Sequence, residues 1–449
     1  MNMHVRDRYR EERLPRYTSY PTAPNFAAMT SETHADWLSS IDVAATASLY
    51  LHVPFCRSMC WYCGCHTTVA RRDARIADYL TILRQEIAIV ANMAPTQLRV
   101  RHVHFGGGTP TIMRPDEFRG LVGLLREQFQ FVEDTEIAVE IDPRTLNKAM
   151  IEALGENGVS RASLGIQSFD PVVQKAINRV QTVEQTAAAT NGLRAAGVRG
   201  VNFDLIYGLP YQTVQSCVDT VRECVAMRPD RFAVFGYAHV PTFKKHQRKI
   251  DERALPDSAE RLEQAEAIAQ ALVEAGYVRV GLDHFALPDD SLVRSQIAGD
   301  LHRNFQGYTT DPSDVLIGFG ASAISRLTQG YVQNEVALGA YARRVLDGDL
   351  PTAKGYGLTP DDRFRADLIE RLMCDFEADL RQICDRHHVS PDAVIGSAPR
   401  LQELIADGIV CIDANRIRIP LNFRFLVRSV ASAFDAHLGA TERSFSRAI

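Results

Sequence analysis

Four cysteines lie within ten residues of one another, in the segment HVPFCRSMCWYCGCH. The first three, Cys56, Cys60 and Cys63, have the spacing C-x3-C-x2-C, and Cys65 follows two residues later. Three closely spaced thiolates are able to bind three irons of a [4Fe-4S] cluster, which leaves the fourth iron with an open coordination position for a small molecule. The spacing therefore predicts an iron-sulfur centre whose chemistry takes place at the open iron.

A zinc site is the alternative interpretation of the same segment, because Cys63, Cys65 and His66 would contribute to a tetrahedral set of ligands. Zinc motifs, however, usually combine one closely spaced cysteine pair with a second, distant pair. The other five of the nine cysteines are scattered between positions 217 and 411. The pattern favours iron-sulfur over zinc, and the clustering also argues against a disulfide framework.

Glycines and polar residues follow several of the β-rich segments. Gly106, Gly107 and Gly108 stand in HVHFGGGTP, where a backbone without side chains lets a ligand approach closely. The polar residues are Glu140, Asp142, Gln167, Asp204, Tyr237 and His239. In barrels of parallel strands the ligand-binding residues lie at the carboxyl ends of the strands, so these positions predict a shared site. Asp142, which precedes a proline, is equally typical of a helix start.

The elements that must position these residues alternate between strand and helix. Six β-rich segments occur at 48–53, 102–105, 136–141, 161–166, 201–207 and 231–237, with helical spacing between them. This alternation predicts βαβ units of the α/β class around a parallel sheet. Six units are too few for a closed eight-fold barrel, so we expect an open, partial (β/α)6 barrel of the TIM type.

Three regions are expected along the chain. Residues 1–45, rich in Pro, Tyr and Thr, predict an irregular amino-terminal arm that covers the active site. Residues 46–345 are expected to form the partial barrel. Residues 346–449 predict a small, mainly helical carboxy-terminal domain with a minor β-ribbon from GIVCID and RIRIP.

The composition limits the possible partners and locations. The 449 residues include 50 basic and 55 acidic side chains, a formal charge of −5 that offers no general positive field for nucleic acid or an anionic membrane. No apolar run approaches the roughly 20 residues that span a bilayer. The charged amino terminus also lacks the apolar region of a secretory signal. We therefore expect a soluble, cytoplasmic protein, a monomer by default, with no nucleic-acid or membrane partner.

The cysteine motif resembles the signature of the radical S-adenosylmethionine (SAM) superfamily, C-x3-C-x-aromatic-C, with Tyr62 at the aromatic position. The resemblance implies a partial barrel with a [4Fe-4S] cluster on the loop after the first strand. It also implies that the open iron binds the amino and carboxylate groups of SAM. The glycine segment is then expected to hold the methionyl amino end.

Over nearly the whole chain the sequence is similar to one family, the oxygen-independent coproporphyrinogen III oxidases. The segments that carry this similarity include RYTSYPTAPNF, EIDPR, LGIQSFD, NFDLIYGLP, LDHFALPDD, LHRNFQGYTT and the terminal FSRAI. The similarity implies that the SAM pocket is lined by Tyr50, Tyr62, Gly107, Gly108, Thr109, Glu140, Gln167, Arg179, Asp204, Ala238 and Ile324. Two SAM molecules are thought to bind in that family, one on the cluster and one beside it.

Several of these side chains suit particular parts of SAM. Glu140 and Asp204 are suited to accept hydrogen bonds from ribose hydroxyls, and Arg179 to balance the SAM carboxylate. Ala238 and Ile324 would contribute backbone or apolar contacts around the adenine, although both are equally typical of an ordinary core.

The reaction that the resemblance implies is one-electron chemistry on a tetrapyrrole. A reduced cluster passes an electron to SAM, the S–C5′ bond breaks, and a 5′-deoxyadenosyl radical takes a hydrogen from a propionate β-carbon. Loss of a further electron and of carbon dioxide leaves a vinyl group, and two rounds convert coproporphyrinogen III into protoporphyrinogen IX. The implied partners are this substrate, a flavodoxin- or ferredoxin-type electron donor, and an electron acceptor that the sequence does not identify.

Cys65 and His52 lie outside the three-cysteine core and are the candidate catalytic residues. Cys65 would strain to reach the fourth iron, so we expect it to face the cofactor pocket or the substrate. His52 precedes the turn that starts the loop, where it would hydrogen-bond a cluster sulfur or ligand, and a structural histidine at a strand end is an equal alternative. His102 and His104 alternate onto one strand face and are expected to be structural.

A substrate that bears four propionates should meet local cations. The candidates are Arg303, Lys244, Lys245, Arg248, Arg10, Arg13 and Arg16. A run such as KKHQRK is nevertheless usually a solvated face. Phe305 and Gln306 resemble family positions near the active site.

Two other functions fit parts of the sequence. Some relatives with the same cluster motif are haem-binding chaperones that do not decarboxylate, and they tend to lack the extra cysteine and the Tyr-Pro arm. This chain has both, as Cys65 and RYTSYPTAPNF. A passive electron-transfer protein would not need the glycine segment or the polar strand ends. The enzyme is therefore the favoured hypothesis.

Overall fold

Six parallel strands form the centre of the protein. The computed structural model describes residues 8, 9, 12–396 and 398–438. The central strands are β1 (Thr46–Val53), β2 (Arg99–Gly107), β3 (Gln130–Ile141), β4 (Arg161–Gln167), β5 (Gly200–Tyr207) and β6 (Arg231–Gly236), each hydrogen-bonded in parallel to the next. The helices between them are Asp73–Met93, Pro115–Gln128, Lys148–Glu156, Pro171–Ala176, Val183–Ala195 and Val214–Ala226. The predicted alternation of strands and helices is confirmed.

Each central strand has an apolar face and a polar face, because successive side chains point to opposite sides of a strand. In β1, Leu49 and Leu51 are buried in the same apolar core as the inward face of helix Asp73–Met93. Tyr50 lies on the opposite face and is in register with His104 of β2. The helices therefore cover the apolar face, and the polar residues of neighbouring strands meet inside the partial barrel.

The sheet is open and wider than the six predicted strands. It contains 13 strands, and its order begins at Ala27–Ala28 and ends at Val278–Val280. Beyond β1 lie Val315–Phe319, which is parallel to β1, and then the antiparallel strands Ile324–Leu327, Gly330–Asn334, Thr352–Gly357 and Ala27–Ala28. Beyond β6 lie His284–Ala286 and Val278–Val280. The prediction of an open, partial barrel is confirmed, although the antiparallel extensions were not foreseen.

The amino-terminal arm is more regular than the sequence predicted. It contains a 3-10 turn at Ala23–Asn25, the strand Ala27–Ala28 and the helix Ser31–Ser39, which is capped by the Thr30 side chain. The description of the whole arm as irregular is therefore wrong. Its Tyr17 and Tyr20 are buried in the core of the carboxy-terminal region, which fixes the arm to that region.

The carboxy-terminal region is mainly helical, as predicted. Its helices are Pro360–Asp375, Leu380–His387, Pro391–Gly396, Pro399–Ala406 and Val427–Ala431, and its small sheet consists of Glu377–Asp379, Cys411–Asp413 and Arg416–Arg418. The strand Thr352–Gly357, which the sequence assigned to this region, instead belongs to the large sheet. The domain boundaries themselves stay a prediction.

Smaller elements connect these parts. They are the paired strands Phe55–Cys56 and Thr68–Val69, the hairpin His302–Asn304 and Gly307–Thr309, and the helices Ser258–Glu274, Ser291–Ala298 and Leu338–Leu346. In the part of the chain that the structure describes, the helices are all too short or too polar to cross a bilayer.

Candidate active site

A cavity of about 1030 Å³ lies at the carboxyl ends of β1–β6. All the residues predicted to bind the cluster or SAM, or to act in catalysis, contribute to its wall. They are Tyr50, His52, Cys56, Cys60, Tyr62, Cys63, Cys65, Gly107, Gly108, Thr109, Glu140, Gln167, Arg179, Asp204, Ala238 and Ile324. The juxtaposition that the sequence predicted is thus present, and the role of each residue stays a prediction.

Two sides of this cavity differ in chemistry. The cysteine side is formed by the cysteine loop, residues 54–70, together with the strand ends that carry the predicted SAM residues. The arginine side is lined by Arg16, Arg261, Arg279, Arg303 and Arg428. The contacts within each side determine which kind of ligand that side is suited to bind.

The cysteine loop is held in place by backbone hydrogen bonds. Ala70 N donates to Cys56 O at 3.0 Å, and Trp61 N donates to Ile177 O at 2.9 Å. The second bond joins the loop to the segment that follows β4. The positions of the thiols therefore depend on the barrel as well as on the loop sequence.

Two guanidinium groups lie beside one of the thiols. Arg144 Nη2 and Arg179 Nη1 are each 3.6 Å from Cys60 Sγ. Cations at this distance stabilise a thiolate, which is the form that binds metal. The sequence did not indicate Arg144.

The donor set suits an iron-sulfur cluster. Cys56, Cys60 and Cys63 all line the same part of the cavity wall, and each cysteine of a cubane binds a different iron. Gln167 Oε1 is buried in the wall without a hydrogen-bond partner among the described residues, which indicates that a ligand completes this side.

Gly107 and Gly108 bring the end of β2 against the cysteine loop. Gly107 has a φ of +115°, which side chains rarely adopt. A Cβ on Gly108 would lie 2.5 Å from the carbonyl oxygen of Phe55. The next residue, Thr109, places its hydroxyl 3.5 Å from Cys56 Sγ. Glycine is therefore required for this close approach, and the triplet is more than a generic turn.

Glu140, at the end of β3, is held as a carboxylate. His104 Nε2 lies 3.3 Å from Oε1, and Gly107 N donates to Oε2 at 3.0 Å. Although burial opposes the charge, these contacts keep the pKa of Glu140 below its ordinary value. His104 also stacks on Tyr50, with ring centroids 5.8 Å apart. His104 thus has a specific structural role, as it positions the two cavity residues Glu140 and Tyr50.

Asp204, on β5, has the opposite electrostatic environment. Ser163 Oγ donates to Oδ2 at 2.9 Å, and Asn202 Nδ2 donates to Oδ1 at 2.8 Å. Burial and the nearby charge of Glu140 outweigh these hydrogen bonds and raise the pKa of Asp204 to about 7. The ligand-free site therefore holds one carboxyl group that favours its charged form and one that retains its proton more readily.

Asp142 forms ion pairs and does not start a helix. Its carboxylate lies 2.7 Å from Arg144 Nη2 and 3.4 Å from Arg179 Nη2. The following helix, Lys148–Glu156, is capped instead by the Asn147 side chain. Since no helix begins at Asp142, its interpretation as a helix-start residue is wrong. Its charge instead orients the two arginines that face Cys60.

The arginine side holds an excess of positive charge. Asp283 is the one carboxylate among its described wall residues, and Arg303 Nη1 lies 3.9 Å from Asp283 Oδ1. The Nε atoms of Arg279 and Arg303 are buried without a hydrogen-bond partner among the described residues. Burial and the charges of Arg16 and Arg303 lower the pKa of Arg428 to about 9. Such a surface suits a ligand with several anionic groups.

Comparisons with known proteins identify the family to which this chain belongs. The family model of the radical SAM superfamily matches residues 50–224. The oxygen-independent coproporphyrinogen III oxidase of Bradyrhizobium diazoefficiens is 61% identical over 442 residues, which are 98% of each chain. That of Paracoccus denitrificans is 41% identical over 428 residues, 95% of each chain. The chain belongs to the oxygen-independent coproporphyrinogen III oxidase family.

A solved structure supports the fold of this family member. The coproporphyrinogen III oxidase of Escherichia coli, described as a radical SAM enzyme, matches with a TM-score of 0.90 at 37% identity, and the match covers 95% of this chain and 100% of that one. The family that the sequence motifs indicated is confirmed, as is the α/β fold class. The haem-chaperone alternative loses support, because these relatives, which match along nearly their whole length, are named as oxidases.

His52, although it lines the cavity of this family member, has both ring nitrogens engaged. Nδ1 lies 3.0 Å from Tyr50 Oη, and Nε2 lies 2.9 Å from His66 O. Burial lowers the pKa of His52, which fits a neutral ring that accepts at Nδ1 and donates at Nε2. The geometry favours the structural alternative over the catalytic one. Cys65 is exposed on the cavity wall, and its catalytic role stays a prediction.

Gln247 connects two predicted SAM residues and was not recognised in the sequence. Its Nε2 donates to Tyr62 O at 2.9 Å and to Ala238 O at 3.2 Å. The side chain is completely buried, although it lies within the charged run KKHQRK. That run is therefore only partly a solvated face. The one sequence signal for the buried position was a neutral amide, Gln247, among basic residues.

The predicted substrate cations divide into three groups. Arg16, Lys244 and Arg303 line the cavity, together with Phe305 and Gln306. Arg13, Lys245 and Arg248 are absent from the described wall. Arg10 lies outside the described residues, as does the terminal FSRAI. The sequence analysis missed Arg261, Arg279 and Arg428, which come from three separate segments.

Proposed function

We propose that this chain is an oxygen-independent coproporphyrinogen III oxidase. It removes carbon dioxide from two propionate side chains of coproporphyrinogen III and leaves vinyl groups, which gives protoporphyrinogen IX. The observation that carries the proposal is one cavity with a three-cysteine loop on one side and an excess of arginine charge on the other. Each side suits one of the two reactants that this reaction requires.

The cysteine side is proposed to hold a [4Fe-4S] cluster and SAM. Cys56, Cys60 and Cys63 would bind three irons, and the guanidinium groups of Arg144 and Arg179 lie where they offset the thiolate charge at Cys60. When bound, the reduced cluster and SAM supply a carbon-centred radical that abstracts a hydrogen from the substrate. The binding of two SAM molecules remains a prediction. Equilibrium dialysis of the reconstituted protein would measure how many SAM molecules bind per chain.

The nucleoside part of SAM is proposed to lie against the two carboxyl groups. Glu140 and Asp204 accept hydrogen bonds from ribose hydroxyls, and Arg179 faces the methionyl carboxylate. Hydrogen bonds to a carboxylate favour its charged form, so binding lowers the pKa of Asp204 from about 7. SAM affinity should consequently fall as the pH falls through 7.

The arginine side is proposed to bind the propionates that do not react. Arg16 belongs to the arm, Arg303 to the hairpin His302–Asn304 and Gly307–Thr309, and Arg428 to the helix Val427–Ala431. Arg303 Nη2 donates to Arg16 O at 3.5 Å, and Arg428 Nε donates to Pro15 O at 2.8 Å. The arginines thus hold the arm over the cavity, where it excludes water and oxygen from the reacting carbon.

The partners follow from the same chemistry. A low-potential one-electron carrier of the flavodoxin or ferredoxin type is proposed as the reductant, and a second, unidentified oxidant accepts the electron released with carbon dioxide. We further propose that the protein acts as a monomer. Size-exclusion chromatography with light scattering tests the last point.

Anaerobic product analysis tests the proposed function. The reconstituted protein is supplied with dithionite, SAM, coproporphyrinogen III and an artificial electron acceptor, and the tetrapyrroles are separated by chromatography. We expect protoporphyrinogen IX, with methionine and 5′-deoxyadenosine formed in equal amounts. Stable haem binding without any decarboxylation would contradict the proposal and support a haem chaperone.

A further inference from the structure

A second, smaller concavity lies on the outer side of the cysteine loop. Its volume is about 300 Å³, and we call it the loop groove. It is lined by Arg57, Ser58, Met59, Trp61, Val69, Arg71, Asn178, His246 and Lys249. Ser58 and Met59 also line the large cavity, so the groove and the cavity share one wall, and Cys60 is the next residue in that wall.

The rim of the loop groove is basic, in contrast to the net negative charge of the whole chain. Arg57, Arg71 and Lys249 line it, and Arg57 alone of the three has a salt bridge, to Asp73 at 2.5 Å, among the described residues. The segments that form the rim carry further exposed cations, namely Arg72, Arg75, Lys175, Lys245 and Arg248. With Asp73 counted, the rim still carries an excess of positive charge, and such an excess next to a redox centre attracts and orients an oppositely charged protein.

The floor of the loop groove is apolar and aromatic. Trp61 is half-buried, and Lys249 Nζ lies 5.5 Å from the centre of its ring. Met59 and Val69 are the other apolar lining residues, and Val180, which lies outside the groove two residues beyond Asn178, is 63% exposed. An apolar centre with a charged rim is the usual composition of a protein interface.

The groove is rigidly connected to the cysteines. Asn178 Nδ2 donates to Met59 O at 2.8 Å, and His246 Nε2 lies 2.7 Å from Cys63 O. The segments that form the rim therefore hold the backbone of the loop that carries the thiols. An electron that arrives in the groove needs to cross only this loop.

We propose that the loop groove is the docking site of the electron donor, and that the donor is an acidic flavodoxin. This inference rests on the proposed function. The exposed edge of a flavin ring, surrounded by carboxylates, is complementary to an aromatic floor surrounded by arginine and lysine. One electron leaves the flavin hydroquinone, which becomes the semiquinone, and reduces the iron-sulfur centre by one electron.

Charge reversal on the rim tests the docking site. The double variant Arg71→Glu with Lys249→Glu removes two rim cations, whereas Lys148→Glu reverses a lysine that is 90% exposed on helix Lys148–Glu156, away from the groove. The first readout is the binding of oxidised flavodoxin to each protein at low salt, measured by surface plasmon resonance. We expect the double variant to bind roughly tenfold more weakly or worse, and the control to bind like the parent.

The second readout is turnover with two reductants. With flavodoxin hydroquinone, the double variant should lose at least about tenfold in rate at low ionic strength, and the loss should shrink as salt screens the rim. With dithionite, the double variant should keep the parent rate, since neither residue lines the large cavity. Equal flavodoxin affinity and rate in parent and double variant would overturn the docking site.

The remaining outcomes separate the two proposals. If the parent protein forms no product with dithionite, the proposed function is refuted, whether or not flavodoxin binds. A double variant that is impaired only with an acidic ferredoxin, and not with flavodoxin, would refute the choice of donor.

Discussion

The cysteine side and the arginine side of the cavity are built in different ways. The cysteine side comes from one loop and the carboxyl ends of consecutive strands, so its residues are ordered along the chain as they are in space. The arginine side combines the arm, the hairpin at residues 302–309 and the helix Val427–Ala431, each more than a hundred residues from the next in the sequence. One side is encoded locally, and the other depends on how distant segments pack.

The two sides also differ in how their charges are balanced. On the cysteine side, Asp142 pairs with Arg144 and Arg179, and Glu140 has donors in His104 and Gly107. On the arginine side, burial and the neighbouring charges of Arg16 and Arg303 lower the pKa of Arg428. We infer that the cysteine side is prepared for its cofactor before it binds, whereas the arginine side is completed by the anionic substrate.

The largest effect is expected from the cysteine side. Cys60→Ala should abolish the cluster absorbance, SAM cleavage and product formation, because the cubane loses one of three thiolate ligands. Iron and sulfide analysis with visible spectroscopy checks this. The matched variant Cys65→Ala should retain the iron and lose turnover. A cluster that is lost with Cys65→Ala would show that the ligand set is assigned wrongly.

Most of the cysteine side was predictable from sequence because its signals are local. The spacing of Cys56, Cys60 and Cys63 and the glycines after β2 place chemistry at the carboxyl ends of consecutive strands, and parallel pairing brings those ends together. What the sequence did not reveal are the supports. His104, Arg144 and Gln247 contact site residues through tertiary packing, which no short-range pattern encodes.

The arginine side was only partly predictable for the opposite reason. Arg303 and Arg16 stand in segments that resemble the family, whereas Arg261 and Arg428 lie in helices where an arginine is ordinarily a surface residue. The burial of Arg428 depends on the arm lying against the carboxy-terminal helices, as its bond to Pro15 O shows, whereas Arg261 packs over the ring of Tyr207 at the end of β5. The antiparallel strands beyond β1 were missed likewise, because short strands carry a weak signal.

The second largest effect is expected from Arg16→Gln on the arginine side. Arg16 is exposed to the cavity and donates to Gly236 O at 3.3 Å, so its loss should weaken substrate binding more than it weakens the fold. Removal of one charge-assisted hydrogen bond should raise the KM for coproporphyrinogen III about 30-fold, with little change in SAM affinity. Initial rates at saturating SAM measure the KM.

Two controls keep the Arg16 experiment specific. Arg16→Lys retains the charge without the planar fork and should recover part of the loss. Arg222→Gln changes an arginine that is 68% exposed on helix Val214–Ala226 and should leave the KM unchanged. An equal rise in the KM for the substrate and the Kd for SAM would show that the two sides do not bind separate reactants.

A smaller effect is expected from Glu140→Gln on the cysteine side. The amide keeps the shape of the side chain but loses the charge that ribose hydroxyls, His104 and Gly107 stabilise. SAM affinity should fall about tenfold, since hydrogen bonds to a charged acceptor are stronger than those to a neutral one. Equilibrium dialysis with labelled SAM measures the Kd. Glu133→Gln, on an exposed position of the same strand, is the matched control, and equal Kd values for both variants would contradict the ribose assignment.

The smallest effect on substrate or SAM binding is expected from a buried carboxyl group that braces the cysteine side from behind, and its effect is on stability. Glu86 accepts hydrogen bonds from Tyr341 Oη at 2.6 Å, from Gly320 N at 2.7 Å and from Asn334 Nδ2 at 2.7 Å. This network fixes the turn that precedes the cavity residue Ile324. Burial outweighs the three donors and raises the pKa of Glu86 from 4.5 to about 7.

The raised pKa fixes the sign of the pH dependence. The unfolded chain ionises Glu86 near pH 4.5, while the folded protein keeps the proton up to about pH 7, so the contribution of this group is fully present below pH 4.5 and is lost as the pH rises to about 7. The loss is at most about 3 kcal/mol. Glu86→Gln cannot titrate, so the Tm of the parent minus that of the variant should fall by several degrees between pH 5 and 7.5. A difference that stays constant over this range would mean that Glu86 is already ionised in the folded protein. The bracing network would then hold a buried carboxylate, as the cysteine side does at Glu140.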